Sequence, residues 1–287
     1  MTSGREGGFP RAWVWALALA LVGFSYYSTL AWLVMSWLGN TYYSHGFLVP
    51  AVSLVLAWRL QAHPPAGAGN PAASGRAFAE GLVLTGVGLG VHLVAASRGA
   101  HLLSAVTLAP VLSGVVLALG GLRTLRRLVF PLGFLFLMVP LPILERSTPE
   151  LARWVAATAG AICRAAGLQV VVTGARVALP TSALVIGAPC SGVNSLAALF
   201  TLAVLYAFLL RGPLVAREAL PALALPIALL ANLARICLLV VVAHYAGTDA
   251  ALQAFHGFTG PVFFLLGLGA LVLVGRWLGC SEIRSDI

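Results

Sequence analysis

A single cysteine stands where a stretch of small residues meets a long apolar run. The segment GAPCSGVNSLAALF covers residues 187–200 and places Cys190 between a proline and a Ser-Gly pair. This position predicts a thiol in the first turn of a membrane helix, where unpaired N–H groups and the helix dipole favour a thiolate. Cys190 is therefore the leading candidate nucleophile, and a small residue packed at a helix start is the alternative. Ser191 and the glycine after it would allow another backbone or a substrate to approach closely.

An arginine lies inside one of the predicted membrane spans. Placing Arg235 there costs roughly 2.5–3.5 kcal/mol on insertion scales, a cost usually tolerated for function or for a specific partner. Asn232 lies three residues earlier, about 60° away on the same helix face, so the amide and the guanidinium can share a polar pocket. A structural salt bridge is the alternative, but no acidic residue within a predicted span is an obvious partner for Arg235. Arg235 is also about 16 Å along the helix from the end of its span, which is deeper than the expected position of Cys190.

Two histidines lie in loops predicted on the same side as Cys190. His256, in AFHGFTGP, could supply the acid and base function that acyl transfer requires. His45 lies in the first outer loop, within YYSHGFLVP. A merely solvated histidine is the alternative for both. The sequence has no HExxH, no CxxC and no acid-rich cluster, so we predict neither a metal site nor a cofactor.

The elements that must position these residues are membrane helices. The chain has 287 residues, of which 60% are hydrophobic and 9% charged, whereas about a quarter of the residues of soluble domains are charged. We therefore expect an all-α polytopic membrane protein that forms a single integral-membrane domain over 1–287. Windows of about 19 residues predict about eight transmembrane helices. They cover roughly 13–36, 46–60, 78–97, 101–120, 128–144, 192–210, 219–246 and 260–279.

The arginines indicate how the chain crosses the membrane. All 17 basic residues are arginines, against eight acids, and they are scattered singly or in short groups between apolar segments. That pattern is typical of membrane topology and not of a nucleic-acid interface, so the expected partner is the lipid bilayer. Eleven arginines fall on one set of loops and five on the other, which predicts cytoplasmic N- and C-termini in the plasma membrane. Residues 1–12 are then a cytoplasmic tail, and Cys190 faces the extracytoplasmic side.

Residues 145–190 are predicted to form an extracytoplasmic insert. The Ala-rich segment 150–166 carries two arginines, and we interpret it as a helix lying on the membrane surface. A ninth span there would reverse the orientation of every later segment and place Arg211 and Arg217 outside, which the arginine distribution opposes. The β-prone pieces 170–172, 176–179 and 183–186 are separated by turn signals. They predict a small β-hairpin that leads into Cys190.

Five motifs in order resemble the exosortase/archaeosortase family of membrane cysteine transpeptidases. They are YSHGFLVP (43–50), FLFLMVPLP (134–142), PCSGVNSL (189–196), NLARI (232–236) and FHGFTG (255–260). The resemblance implies a catalytic set of Cys190, Arg235 and His256. We expect Asn232, His45 and Ser191 to be supporting or substrate-binding residues.

The resemblance also implies the kind of substrate. Family members cleave the C-terminal sorting signal of exported membrane-anchored proteins, built from a short motif such as Pro-Glu-Pro, a transmembrane helix and a basic tail. An acyl group then passes to an acceptor, a lipid or a glycan, often in exopolysaccharide or surface-protein assembly. Val193 and Asn194 follow the Cys-Ser-Gly motif where many members carry Leu-Arg, which leaves the subfamily and the cleavage motif open.

Two functions of other classes fit the same residues. A non-catalytic membrane component of exopolysaccharide export could use Arg235 to bind a lipid-linked phosphate. A transporter should carry polar residues in several spans. Here the polar residues are concentrated at Asn232 and Arg235, which disfavours a transporter.

Overall fold

The structure, a computed structural model, consists mainly of apolar helices. It describes residues 12–63, 74–180, 182–187, 190–254 and 258–284. Helices are the expected solution for an apolar chain, because the backbone N–H and C=O groups of a helix bond to each other and none need water. The predicted tail at 1–12 lies almost wholly outside the described residues, with Ala12 as its only described member.

The described residues of the first half of the chain form five α-helices and two short 3-10 helices. They are α1 (Ala12–Ser25), α2 (Tyr27–Gly39), a 3-10 helix (Thr41–Phe47), α3 (Leu48–Ala62), α4 (Gly75–Ser97), α5 (His101–Phe134) and a 3-10 helix (Leu135–Met138). Helices α1 and α2 meet at a bend of 69°. Helix α5 is interrupted at Gly121, whose φ of 73° and ψ of 176° are not helical.

The second half combines four helices with two small sheets. The elements are α6 (Pro142–Ala165), β1 (Val171–Thr173), β2 (Arg176–Ala178), β3 (Ala183–Val185), α7 (Val193–Leu209), β4 (Leu210–Arg211), α8 (Leu214–Ala254), α9 (Gly260–Trp277) and β5 (Glu282–Ile283). Strands β1, β2 and β3 form one antiparallel sheet in that order, and β4 pairs with β5. Helix α8 changes direction at Gly247, where φ is 86°.

The number of helices that can cross a membrane is smaller than the sequence predicted. Among the described residues, four helices are long and apolar enough, and the bent pair α1–α2 would make a fifth. They cover Gly75–Ser97, His101–Met138, Leu214–Ala251 and Gly260–Trp277. The all-α membrane architecture is confirmed, but this count does not support eight spans.

Helix length and helix breaks explain the difference. Helices α3 and α7 have 15 and 17 residues, so they extend about 22–26 Å, which is less than the roughly 30 Å hydrocarbon core. The predicted spans 101–120 and 128–144 were counted separately, but most of both lies in α5 and its 3-10 extension, with the break at Gly121. The last residues of the second belong to α6.

The chain divides into two compact units. The first comprises Met1–Pro140 with the last three residues, and the second comprises Leu141–Arg284. A compact unit need not be an independent domain, so the single domain over 1–287 stays a prediction.

The predicted insert is present as a helix followed by strands. Helix α6 is amphipathic, and its buried residues, among them Val155, Ala159 and Cys163, recur at helical spacing. It is not among the described helices that qualify as spans. The predicted hairpin forms as β1 and β2, and β3 extends it to three strands. The side of the membrane on which the insert lies stays a prediction.

Apolar packing joins the insert to α8. Side chains from α6, from the sheet and from α8 form one buried cluster, represented by Val155, Val177 and Ile236, each fully buried. A second cluster joins α7, α8 and α9 through Leu199, Leu220 and Leu271. Helix α8 is therefore the element that the two cores of the second unit share.

A buried polar network secures the bend between α1 and α2. His92 on α4 is 1% exposed, and the Tyr26 ring stacks on its imidazole at 3.7 Å. Its Nε2 lies 2.9 Å from the carbonyl oxygen of Ser25, and its Nδ1 lies 2.7 Å from Oγ of Ser104. Because a carbonyl oxygen only accepts, Nε2 carries a proton and donates it. The network satisfies polar groups that burial would otherwise leave without partners.

Replacing His92 by alanine should therefore destabilise the first unit. The change leaves a buried carbonyl and a buried hydroxyl without this partner, which should lower the free energy of unfolding by about 1–3 kcal/mol. Thermal unfolding of the detergent-purified protein measures the effect. His63→Ala, at the exposed end of α3, is the matched control. Equal unfolding midpoints for the two variants would contradict a stabilising role for His92.

Candidate active site

The local backbone places Cys190 just before a helix and not inside it. Helix α7 begins at Val193, and Gly192 precedes it with φ of 90°. Cys190 thus lies three residues before the helix, which corrects its predicted place in the first turn. Its side chain is half-buried. Its backbone N–H donates to the carbonyl of Gly187 at 3.0 Å, which folds the chain back on itself.

Asn232 holds the backbone of Cys190. Its Nδ2 donates to the carbonyl oxygen of Cys190 at 3.0 Å. The close approach expected beside Ser191 is made by this side chain, because a Cβ on Gly192 would lie only 2.8 Å from the same Nδ2. The positive φ and the missing Cβ both explain why position 192 is glycine. The amide and the cysteine are 42 residues apart in sequence.

This hydrogen bond places Cys190 beside the middle of α8. Asn232 lies 15 residues before the break at Gly247, or about 22 Å along the helix. Since the amide of Asn232 contacts the backbone of Cys190, the cysteine lies beside that level of α8. The sequence had suggested that Arg235 is deeper than Cys190, which requires either that this helix projects beyond the bilayer or that Cys190 lies in a recess. The contact places Cys190 and Asn232 at the same level of α8, and both explanations agree with it.

A cleft between α7, α8 and α9 lies next to this contact. It is lined by Ser195, Leu199, Ala228, Ala231, Asn232, Arg235, Gly260, Phe263, Phe264 and Gly267. Cys190 is not among these lining residues. Asn232 links the cleft to the nucleophile candidate, because its side chain lines the cleft and donates a hydrogen bond to the Cys190 carbonyl.

The electrostatic environment of Cys190 is set by burial and by Arg235. Asn232 is 3% exposed and Arg235 is 7% exposed. Burial raises the pKa of the Cys190 thiol, while the positive charge of Arg235 and a hydrogen bond with the backbone of Gly187 oppose that rise. The net direction is upward, which is opposite to the thiolate expected from the sequence. A protonated thiol at neutral pH needs a base before it can attack.

Asn232 also carries an unused acceptor. Its Oδ1 is buried and has no hydrogen-bond partner within the described residues. The hydroxyl of Thr259, just before α9, is likewise buried without a partner there. A buried unsatisfied polar atom costs roughly 1–3 kcal/mol. An N–H group entering the cleft could donate to Oδ1.

The other two predicted supporting residues have different surroundings. Ser191 is fully buried, and its Oγ accepts from the backbone N–H of Val193 at 3.4 Å, so it helps to shape the start of α7. His45 belongs to the first compact unit, in the 3-10 helix Thr41–Phe47. Burial lowers the pKa of His45, and hydrogen bonds with backbone groups of Leu137 and Tyr42 oppose that change. A role for His45 at the site stays a prediction.

His256 and Pro189 lie outside the described residues, so the predicted general base stays a prediction. The cleft residues on α9 were not predicted from the sequence. Gly260, Phe263, Phe264 and Gly267 recur at the i, i+3, i+4, i+7 spacing of one helix face. That spacing could have identified them. Ser195 has no comparable signal.

The fold and site define an integral-membrane protein in which a half-buried thiol lies within the electrostatic influence of a buried arginine, next to a cleft lined mainly by apolar and small residues. A sequence model of the transmembrane exosortase family matches residues 37–273. This match covers most of the 287 residues, and the chain belongs to that family. No curated protein matches the chain. No solved structure matches it either.

The raised pKa of Cys190 predicts its pH-dependent reactivity. Only the thiolate is alkylated, so the labelling rate should rise with pH and reach its midpoint above about 8.5, the ordinary value for cysteine. Arg235→Gln removes an influence that lowers this pKa, so the midpoint should move further upward. Iodoacetamide labelling between about pH 7 and 11, quantified on the Cys190 peptide by mass spectrometry, measures the midpoint in the unchanged protein and in the Arg235 variant. Arg153→Gln, exposed on α6, is the control. A midpoint below 8.5, or a downward shift in the Arg235 variant, would contradict this account.

Gly192→Ala should disturb the contact between Asn232 and Cys190. The left-handed conformation costs a residue with a Cβ about 1–2 kcal/mol, and the added Cβ would press on the Asn232 amide. We expect a lower unfolding midpoint and faster labelling of a less enclosed Cys190. Gly90→Ala is the matched control, since a Cβ there meets open space in α4. If both variants behave alike, the close approach at Gly192 has no energetic importance.

Proposed function

We propose that the protein is a membrane cysteine transpeptidase that cleaves C-terminal sorting signals of exported proteins and transfers them to a lipid or glycan acceptor. Membership of the transmembrane exosortase family supports this class of reaction. One arrangement supports the assignment of residues. The positive charge of Arg235 acts on the Cys190 thiol, and Asn232 donates a hydrogen bond to the Cys190 carbonyl. An enclosed thiol beside a fixed cation is suited to covalent acyl transfer.

The reaction begins with removal of the thiol proton. His256 takes the proton from Cys190, and Sγ attacks the scissile carbonyl carbon to form a tetrahedral oxyanion. When the C–N bond breaks, His256 returns the proton to the leaving amine, and the acyl group remains as a thioester. The acceptor hydroxyl or amine then loses its proton to His256 and attacks the thioester. The proton returns to the departing sulfur, which restores the thiol.

Arg235 is assigned the stabilisation of the oxyanion. A fixed cation in a site of low dielectric stabilises developing negative charge more strongly than it would in water. Asn232 is less suited to this role than the sequence suggested, because its Nδ2 already donates to the Cys190 carbonyl. We assign Asn232 to positioning the nucleophile, and its unused Oδ1 to accepting an N–H from the substrate backbone.

The chain around position 256 supports His256 as the base. On one side, Ala251 is buried in the core that α8 shares with the insert. On the other side, Gly260 lines the cleft with Arg235 and Asn232. His256 lies four residues from Gly260 in sequence, and four residues span at most about 14 Å of chain.

The proposed substrates are proteins that share the bilayer with this chain. Their sorting signals carry a transmembrane helix, so they would reach the enzyme laterally. The cleavage motif would then be presented on the extracytoplasmic side, on which the arginine distribution predicts Cys190. Exopolysaccharide or surface-protein assembly is the proposed setting.

Substrate processing tests the proposal. The substrates to follow are host proteins whose C-termini share a short motif, one span and an arginine cluster. Cys190→Ala, Arg235→Gln and His256→Gln should each lower cleavage by about 100-fold or more and accumulate the uncut form. Cys280→Ala, in the core formed by α7, α8 and α9, is the control and should retain cleavage. Immunoblots of the two substrate forms measure the ratio.

The same variants separate the enzyme from a phosphate-binding export component. If Arg235 bound a lipid-linked phosphate without catalysis, Cys190→Ala would keep full function while Arg235→Gln lost it. That result would overturn the transpeptidase assignment. A hydroxylamine-sensitive adduct on Cys190, absent from the alanine variant, would instead identify the thioester.

A further inference from the structure

An apolar cleft in the first compact unit has no role in the proposed reaction. Helices α1, α3 and α5 form its walls, with Trp15, Leu19, Leu54, Ala57, Val116 and Leu128 among the lining residues. Leu54 is 73% exposed and Leu19 is 51% exposed, so the cleft is open at its mouth.

The size of the cleft restricts what can fill it. Its cavity volume is about 320 Å³. A transmembrane helix 30 Å long and 10 Å across occupies about 2,400 Å³, so the cleft holds only a fraction of one. A single acyl chain is thinner and flexible, and it matches the apolar lining. The volume and lining therefore favour one lipid chain over a substrate helix.

One end of the cleft is basic. The 3-10 helix Thr41–Phe47, which leads into α3, contacts the 3-10 helix Leu135–Met138, which follows α5. The start of α3 and the end of α5 therefore lie together, and α3 runs opposite to the second half of α5. Arg59, near the end of α3, then lies at the same end as Arg126 and Arg127, which immediately precede the lining residue Leu128.

Acidic residues do not balance this charge. Within the described part of the first unit, Glu80 is the only acidic residue. It forms an ion pair with Arg76. Clusters of arginine next to an apolar intramembrane cleft are typical of sites for anionic lipid headgroups.

We propose that this cleft binds one anionic phospholipid, with an acyl chain between α1, α3 and α5 and its phosphate at Arg59, Arg126 and Arg127. Ser53 adds a further polar feature, because its buried hydroxyl lines the cleft and has no partner within the described residues. An ester carbonyl of a diacyl lipid is an acceptor for that hydroxyl. The site is independent of the transpeptidase reaction, since it is defined by binding alone.

Native mass spectrometry of the detergent-purified protein tests the site. The probes are palmitoyl-oleoyl phosphatidylglycerol and the phosphatidylcholine with the same acyl chains. We expect one phosphatidylglycerol per chain, bound at least tenfold more tightly than phosphatidylcholine. Ala57→Trp fills the cleft and should weaken phosphatidylglycerol binding at least tenfold. Val83→Trp, on the exposed face of α4 and outside the cleft, is the control and should have no effect.

Removal of a headgroup contact gives a second readout that leaves the packed interior unchanged. Arg126→Gln, at an exposed position, should reduce the preference for phosphatidylglycerol at least threefold and leave phosphatidylcholine binding unchanged. Arg98→Gln is the matched control, because Arg98 follows the last residue of α4 and does not line the cleft. Equal binding of the two lipids, or equal binding by the Ala57 and Val83 variants, would overturn the proposal. So would a photoreactive group at position 57 that captures a peptide helix and no lipid.

Discussion

The candidate site depends on one hydrogen bond between distant parts of the chain. The Asn232 amide, at the middle of a long apolar helix, donates to the carbonyl of Cys190. In an apolar interior both groups would be costly if they lacked partners, so the bond strongly favours one arrangement of the two segments. Gly192 makes the approach possible because it carries no Cβ. The position of Cys190 beside the middle of α8, near Arg235, follows from that approach.

Helix α8 gives the site its rigidity because it belongs to two cores. Its first half packs with α7 and α9, and its second half packs with α6 and the three-stranded sheet. Asn232 and Arg235 lie where one core gives way to the other. A side chain at such a junction is held from both directions, which suits a guanidinium that must stay aimed at a reacting carbonyl. Enclosure has a chemical consequence, because it raises the pKa of the Cys190 thiol and makes a base necessary.

Two buried polar side chains on long helices bond to backbone at places where the chain departs from regular helix. In the first unit, His92 secures the bend between α1 and α2 by bonding to the Ser25 carbonyl. In the second unit, Asn232 secures the segment before α7. In both places a side chain from a continuous helix satisfies backbone that has left helical geometry, as membrane interiors require.

The sequence by itself determined the membrane class, the amphipathic helix and hairpin between residues 145 and 190, the shared face of Asn232 and Arg235, and the motifs of the family. These features follow from transfer free energies and from helix and strand periodicity, which act over a few neighbouring residues. His256 stays a prediction from its motif alone. Only the tertiary structure decided which apolar helices are long enough to span, beside which part of α8 Cys190 lies, and in which direction the pKa of its thiol moves. Those properties depend on contacts such as the one between residues 190 and 232, and on the burial that such contacts create, neither of which exists until the chain has folded.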